Sequence, residues 1–242
     1  MVQYNPLQYL PSAEELPDSD DTPVDNELQV LIPSLLRGIL ALLWSERQDW
    51  FFGVNMGVYY QPNQQAIVPD GFLSVGVQRH KSERGRLSYV LWEENGIVPV
   101  LAIEVVSKTY GQEYHSKLSK YAQIGVLYYV IYNPDYWDRD RHEPFEVYRL
   151  EGNGYVRQMH EPVLIPEINL AIGRGQGSYE GWNREWLYWY EFDGNRLPSP
   201  LEWAQRAQLQ AQQAQLQAQQ ERQLKEDLIA KLQARGLDPD TL

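Results

Sequence analysis

The pattern of apolar and polar residues predicts a chain in which helices alternate with strands. Residues 28–43 carry apolar side chains at helical spacing, which predicts an amphipathic helix that begins near Glu27 and covers one face of a sheet. Residues 49–62 are rich in aromatic and β-branched residues, as strands are. They lead into a second apolar run that follows Asp70, as the two arms of a hairpin would.

The central part of the chain predicts a strand, a helix and a second strand in succession. Residues 100–107 form an apolar run typical of a buried strand, residues 113–124 have helical periodicity, and residues 126–133 are again apolar. Such a succession predicts a right-handed crossover between two parallel strands. Residues 144–193 then read as antiparallel strands, whose aromatic residues are interpreted as core, as a dimer surface or as a surface that stacks on bases.

The C-terminal part changes to a composition rich in Ala, Gln and Leu. Residues 207–213 and 214–220 are both AQLQAQQ, a seven-residue tandem repeat that fits a helix. We expect a projecting helix, ended by Gly236 and Pro239, that forms at most a short coiled coil and could support a homodimer. The predicted organisation is an acidic N-terminal lead-in at 1–24, an α/β domain at 25–197 and this helix at 198–242.

Composition limits the chemistry that the chain can carry. Cysteine is absent, which excludes disulfides and thiolate zinc sites, and the four histidines have no ligand spacing, so any metal would be held by oxygen. No stretch approaches the roughly 20 apolar residues of a membrane helix, and the N-terminus has no signal-type pattern. We therefore expect a cytoplasmic protein with no membrane partner.

Charge is unevenly distributed along the chain. The net charge is −12, and residues 1–27 contain acids but no base. Four bases cluster just after the Asp70 strand: Arg79, Lys81, Arg84 and Arg86. This loop is interpreted either as a contact for a phosphate backbone beside a functional site or as a solvated loop.

Two carboxylates occur inside apolar runs, where an unpaired charge is unfavourable. Asp70 begins one predicted strand, and Glu104 interrupts the run VLAIEVV, where strand alternation gives it apolar neighbours on its own face. Its partner must therefore come from elsewhere in the chain. On a helical wheel of 113–124, Lys117 falls inside the apolar stripe, one turn before Tyr121, so it is the lysine expected to point toward Glu104.

Two strand carboxylates and an inward lysine are the groups that metal-assisted phosphodiester hydrolysis requires. Carboxylate oxygens are preferred ligands of Mg²⁺, and Mn²⁺ is the alternative ion. A lysine can orient or deprotonate the attacking water, or neutralise charge in the transition state. The pattern thus predicts Asp70, Glu104 and Lys117 as the catalytic group.

Four segments resemble the Uma2-like (DUF820) endonuclease family of the PD-(D/E)XK nuclease superfamily. They are VPDGFLSV, LAIEVVSKT, KLSKYAQIGVLYYVIYNP and WLYWYEFDGNRLPSPLEWAQ. The resemblance implies a restriction-endonuclease-like mixed sheet flanked by helices and an endonuclease that cleaves nucleic acid, with DNA favoured. One position departs from the superfamily pattern, because Val106 stands where the lysine would follow the acid, and resemblance to the subfamily implies that the lysine has migrated to Lys117.

The resemblance also implies roles for further residues. Asp70 and Glu104 would bind the metal together with the carbonyl of Val105, while Ser107 and Tyr121 would orient the carboxylate and the lysine. In the superfamily an acid of the first helix can approach the metal, which makes Glu27 a candidate. An interaction with the helix dipole is the alternative for Glu27.

A second hypothesis is a catalytically inactive nuclease-fold protein that acts as an interaction or oligomerisation module. Glu104 would then be a satisfied core carboxylate and Asp70 a strand cap. Lys117 would be the helical partner of Glu113.

Overall fold

The computed structural model describes residues 8–17, 26–109 and 111–234. The chain divides into two compact units, Met1–Leu197 and Pro198–Leu242. Most of the lead-in predicted at 1–24, and the predicted helix end at Gly236 and Pro239, lie outside the described residues. The domain limits therefore stay a prediction.

The first unit contains three α-helices, eleven strands and three other helical turns among its described residues. In chain order these are α1 (Leu28–Leu43), β1 (Trp50–Val54), β2 (Val58–Tyr59), β3 (Gly71–Val75), β4 (Tyr89–Val90), a 3₁₀ turn (Leu91–Glu93), β5 (Leu101–Val105), a π-helical turn (Glu113–Lys117), α2 (Leu118–Ile124), β6 (Tyr128–Tyr132), α3 (Trp137–Asp140), β7 (Phe145–Glu151), β8 (Gly154–Gln158), β9 (Val163–Ile165), a second 3₁₀ turn (Pro166–Ile168), β10 (Leu170–Tyr179) and β11 (Trp182–Tyr190).

A six-stranded mixed sheet forms the centre of this unit, in the order β1-β3-β5-β6-β7-β8. Strands β5 and β6 are parallel, and the other neighbouring pairs are antiparallel. All five residues of β5 and all five of β6 are buried, as their continuous apolar sequences predict. The predicted α/β class, with a mixed sheet flanked by helices, is confirmed.

The two faces of this sheet pack against different helices. Helix α1 buries its apolar stripe in a core that includes Leu101, Ile103 and Val105 of β5. Helix α2 packs on the opposite face, in a second core that includes Ala102 and Val106. Strand alternation thus sends the side chain of Glu104 to the α2 face.

Three of the aromatic residues that sequence analysis considered for base stacking lie in the core instead, whereas Trp182 and Phe192 are 41% and 46% exposed. Trp186, Tyr188 and Trp189 of β11 are fully buried in the core that contains α1. Trp189 also donates a hydrogen bond from Nε1 to the carbonyl of Leu36 at 3.0 Å, which ties the three-stranded sheet β9-β10-β11 to α1. Burial excludes these three rings from stacking on a base, because a base would have to displace the core.

The second unit contains the helix α4, which spans Pro200–Ala234. Ser199 and Glu202 form a capping box at its start, since each backbone N–H bonds to the other side chain. Leu209 and Leu216, which occupy equivalent positions of the tandem repeat, are each 55% exposed. The homodimer stays a prediction, and no helix among the described residues is long and apolar enough to cross a membrane.

Two leucines of α1 provide a matched test of the helix orientation. Leu36 is fully buried and Leu42 is 39% exposed. We expect Leu36→Ala to lower the free energy of unfolding by about 2–5 kcal/mol, because it removes buried apolar surface and leaves a cavity. Leu42→Ala should change it by less than about 0.5 kcal/mol. Urea denaturation measures both, and equal losses would contradict this orientation of α1.

Candidate active site

The register of the central sheet brings Asp70 to Glu104. Strand β3 runs antiparallel to β5 with Gly71 opposite Ile103, so the preceding residue, Asp70, comes level with Glu104. Asp70 is 6% exposed, and its Oδ2 accepts a hydrogen bond from the backbone N–H of Val105 at 2.6 Å. The two carboxylates predicted from separate segments therefore meet at one end of the sheet.

Both carboxylate oxygens of Glu104 have partners on the helix that crosses from β5 to β6. Lys117 Nζ donates to Oε2 at 2.8 Å, and the hydroxyl of Tyr121 donates to Oε1 at 2.6 Å. Glu104 is 2% exposed and the side chain of Lys117 is 30% exposed. The lysine thus links a buried carboxylate to the surface, which is the position that the helical wheel predicted for it.

The segment that carries Lys117 differs from the regular helix that its periodicity predicts. Glu113–Lys117 is a π-helical turn, entered through Gln112 in the left-handed conformation (φ 61°), and only Leu118–Ile124 is α-helical. Lys117 and Tyr121 nevertheless stay one turn apart on the same face, because the π-helical turn ends at Lys117. Periodicity does not reveal such a turn, because a single π-helical turn covers too few residues to show a period of its own.

The charges of this cluster act on one another. Burial, and secondly the charge of Glu104, raises the pKa of Asp70 well above its usual value. Burial alone would lower the pKa of Lys117, but attraction to Glu104 and their hydrogen bond raise it overall. The raised pKa of Asp70 reflects the unfavourable burial of a second negative charge beside Glu104, and a divalent cation bound there would favour the ionised carboxylate.

Sequence analysis missed a third buried acid at this site, Glu113. It was considered only as a helical partner of Lys117, yet it is 4% exposed and accepts hydrogen bonds from the N–H of Gly111 at 3.1 Å. Burial raises its pKa, and its charge acts on Asp70 and Lys117. A Cβ at position 111 would collide with the Glu113 carboxylate and lie 3.5 Å from Lys117 Nζ, so a glycine there leaves room for both groups.

Three further residues that the sequence suggested for the site, Val105, Ser107 and Glu27, differ in their contacts and exposure. The carbonyl of Val105 accepts a hydrogen bond from Gln29 Nε2 of α1 at 3.4 Å. Ser107 is buried, and its hydroxyl donates to the carbonyl of Thr109, which shapes the loop after β5. The side chain of Glu27 is exposed at the start of α1. The α1 side chain that bonds to β5 here is thus Gln29, and the predicted roles of Glu27 and Ser107 stay predictions.

The basic loop lies at the other end of the sheet, so its expected position beside the site is wrong. Arg79 lies over the ring of Trp50, and Arg86 lies over the ring of Phe51. Both aromatic residues pair with the C-terminal end of β3. Asp70, in contrast, precedes the N-terminal end of β3. Five residues of strand separate the two ends by about 17 Å. The basic loop is close to Asp70 in sequence, but the length of β3 places it far from Asp70 in space.

Much of this loop's charge is also compensated within the protein. Arg86 bonds Glu94 at 2.9 Å with only 2% of its side chain exposed, and Lys81 bonds Glu93 at 2.8 Å and Glu94 at 3.2 Å. Arg84 is exposed. Contact between nucleic acid and Arg79, Lys81, Arg84 or Arg86 stays a prediction.

The donor set at the site suits a hard divalent cation. Asp70 and Glu104 offer carboxylate oxygens and Val105 offers a carbonyl oxygen, which are the ligand types that Mg²⁺ takes while it keeps several waters. Among the described residues no group of three or more His, Cys, Asp or Glu is arranged to hold a metal. Oxygens from Asp70, Glu104 and Val105 alone would leave the remaining coordination positions of such an ion to water.

Comparison with known proteins gives a family match. The model of a family named Uma2, described as "Putative restriction endonuclease", matches residues 4–172, a range that includes Asp70, Glu104 and Lys117. A solved structure described as "a putative nuclease belonging to DUF820 from Anabaena variabilis" is similar with a TM-score of 0.42 and 14% identity, covering 64% of this chain and 87% of that chain. No curated protein matches the chain.

Two aspartates with opposite pKa shifts test the electrostatics of the site. A raised pKa means that the ionised carboxylate of Asp70 lowers stability above its ordinary pKa, so Asp70→Asn should leave the unfolding free energy at pH 7 unchanged or higher. Hydrogen bonding to Arg139 lowers the pKa of Asp140, so Asp140→Asn should lose stability at the same pH. Chemical denaturation without divalent metal measures both.

The advantage of Asp70→Asn should shrink as the pH falls, because the wild-type carboxyl then takes up its own proton. A clear loss of stability in Asp70→Asn at pH 7 would instead identify Asp70 as a structural strand cap.

Proposed function

Because the chain belongs to the Uma2 family, described as "Putative restriction endonuclease", we propose that it is a metal-dependent endonuclease that hydrolyses phosphodiester bonds of nucleic acid, with DNA as the favoured substrate. The family match confirms the resemblance seen in the sequence motifs. The observation that supports the proposed chemistry best is the buried Glu104, held between Lys117 and Tyr121 and level with Asp70.

In this proposal Asp70, Glu104 and the Val105 carbonyl hold Mg²⁺ or Mn²⁺. When bound, the ion supplies positive charge that stabilises the phosphoryl group during hydrolysis. Burial strengthens the attraction between the two carboxylates and the ion, because electrostatic interactions are stronger where water is excluded. The hydrogen bond from the Val105 N–H to Asp70 fixes the orientation of that carboxylate, since it connects the side chain directly to β5.

Lys117 acts as a charged group in this proposal. Attraction to Glu104 raises its pKa, so the ammonium keeps its proton at neutral pH and is a poor general base. It would orient the attacking water and neutralise charge that develops on the phosphate. Of the roles open to the lysine on sequence grounds, orientation and charge stabilisation are therefore favoured.

Tyr121 is a positioning residue. It is buried, and burial raises the pKa of its hydroxyl well above the ordinary value, so the group stays a hydrogen-bond donor. Its bond to Glu104 Oε1 leaves that carboxylate in one orientation. Removing a group that holds a metal ligand in this way typically lowers metal affinity or activity by about 10–100-fold.

One observation favours the alternative of an inactive interaction module. Leucines along α4 are more than half exposed, Leu224 by 69% and Leu228 by 58%. A protein of this kind would lose self-association when truncated at residue 200, and it would show neither metal binding at Glu104 nor cleavage.

Calorimetric titration with Mg²⁺ and Mn²⁺ tests the metal site. We expect wild-type protein to bind about one or two ions, the range that a two-carboxylate nuclease site would hold. Glu104→Gln should abolish this binding because it removes the charge of the central ligand. Glu83→Gln, a change of the same kind at an exposed residue of the basic loop, is the control and should bind as wild type.

Cleavage of plasmid DNA with the same proteins tests the catalytic roles. Asp70→Asn and Glu104→Gln should abolish metal-dependent cleavage, and Lys117→Ala should reduce it by about 10²–10⁴-fold. Metal binding should survive in Lys117→Ala, since the lysine is not a ligand. Metal binding without cleavage of DNA or RNA by wild-type protein would count against an endonuclease.

Two tyrosines test whether the bond to Glu104 matters more than tyrosine bonding in general. Tyr121→Phe should weaken metal binding and cleavage by about 10–100-fold. Tyr155→Phe removes a hydroxyl that bonds the carbonyl of Val126 at 2.7 Å in the same core, so it should leave both unchanged. Equal effects on cleavage would point to a loss of core stability, which thermal melting of both variants would reveal.

A further inference from the structure

The site described above needs a positive group that can hold the substrate backbone. Nucleic-acid binding depends on lysines and arginines that contact phosphates. Lys117 is already paired with Glu104, and the basic loop lies at the opposite end of β3. The following inference rests on the proposed nuclease function and concerns which residue meets the phosphate next to the site.

Lys120 stands at the outer edge of the cluster. It lies three residues after Lys117 on a continuous helical segment, and residues at this spacing are neighbours on a helix surface. The next residue, Tyr121, donates to Glu104, so the backbone of Lys120 is held by the same anchor. Lys120 is half-buried, whereas Glu104 is 2% exposed. The cations thus extend from the buried acid toward the surface.

The side chain of Lys120 is supported by an aromatic ring. Its Nζ lies 5.7 Å from the ring centroid of Tyr60, a cation–π contact. Tyr60 is 5% exposed and belongs to the core beneath α2. It follows β2, whose Val58 pairs with Ile67 in the segment that leads to Asp70. The ring therefore connects Lys120 to the same part of the chain that supplies the first carboxylate.

The ammonium of Lys120 lacks a carboxylate partner within the part of the chain that the structure describes. None of the ion pairs among residues 8–17, 26–109 and 111–234 includes it. Burial, and secondly the charge of Lys117, lowers its pKa. A partly desolvated cation beside a second cation gains more from an incoming anion than a fully hydrated surface lysine does.

We propose that Lys120, supported by the ring of Tyr60, forms a phosphate-binding subsite at the rim of the active site that holds a backbone phosphate next to the scissile one. An ammonium suits this role because it acts as a compact point charge toward phosphate oxygens. The subsite would supply one phosphate contact next to the carboxylates, where an acidic protein needs positive charge to hold a polyanion.

Salt-dependent DNA binding tests this proposal. A fluorescein-labelled duplex is titrated by anisotropy over a range of salt concentrations, with Ca²⁺ in place of Mg²⁺. Losing one phosphate contact should reduce the slope of log K against log salt by about 0.9. We expect this reduction in Lys120→Gln, full recovery of the slope in Lys120→Arg, and a wild-type slope in Arg222→Gln.

The control removes the same charge from an exposed residue of α4, outside the unit that contains the site. Thermal melting verifies that each variant folds, and calorimetry should show wild-type Mg²⁺ binding in all three. In cleavage assays Lys120→Gln should raise KM by about tenfold and leave kcat nearly unchanged, because a phosphate contact away from the reacting atoms contributes uniform binding.

The outcomes separate this proposal from the nuclease proposal. A wild-type slope in Lys120→Gln overturns the subsite even if the protein cleaves DNA, and an equal reduction in Arg222→Gln would assign the loss to net charge and overturn the subsite as well. A reduced slope in Lys120→Gln without any metal-dependent cleavage by wild type would keep the subsite and overturn the nuclease. Absence of salt-dependent binding by wild-type protein overturns the subsite directly.

Discussion

The burial of Glu104 in the middle of β5 is the constraint on which the rest of the site depends. An ionised carboxylate inside a sheet is strongly unfavourable unless charge and hydrogen bonds compensate it. Lys117 and Tyr121 supply both, one bond to each oxygen. The crossover from β5 to β6 therefore has to dock with these two residues facing the sheet, and the chemistry of the site and the packing of α2 are a single structural requirement.

Other contacts hold the backbone so that this arrangement is possible. The parallel pairing of β5 with β6 brings the crossover back over the sheet, and Gly125 ends α2 in the left-handed conformation (φ 93°) that suits glycine. On the far face α1 packs against β5 and is tied to the second sheet through Trp189. The carboxylates thus lie on strands that are packed from both sides, which suits a site that must hold its ligands in one geometry.

The charge distribution assigns cation binding and phosphate binding to different groups, whereas the sequence alone suggested one site with a basic loop beside it. The buried carboxylates of Asp70 and Glu104 attract cations, and the net charge of −12 repels nucleic acid at long range. A substrate backbone would then be held by few, well-placed positive groups. In our proposal Lys120 is such a group, whereas the charge of Arg86 is compensated by its ion pair with Glu94.

The sequence by itself determined the main helices and strands, and it singled out the central residues of the candidate site. Apolar spacing predicted α1 and the crossover helix, and the apolar runs predicted the strands, because these patterns reflect which side of each element is buried. It also singled out Asp70, Glu104 and Lys117, since charged residues in apolar surroundings need partners.

Tertiary structure alone decided what depends on distances between segments. The register of β3 against β5 placed Asp70 level with Glu104, and the length of β3 removed the basic loop from the site. The π-helical turn buried Glu113, whose spacing from Lys117 is equally typical of a solvated pair. Sequence patterns report which face of an element is buried but not what lies across from it, because pairing and docking involve residues that are distant along the chain.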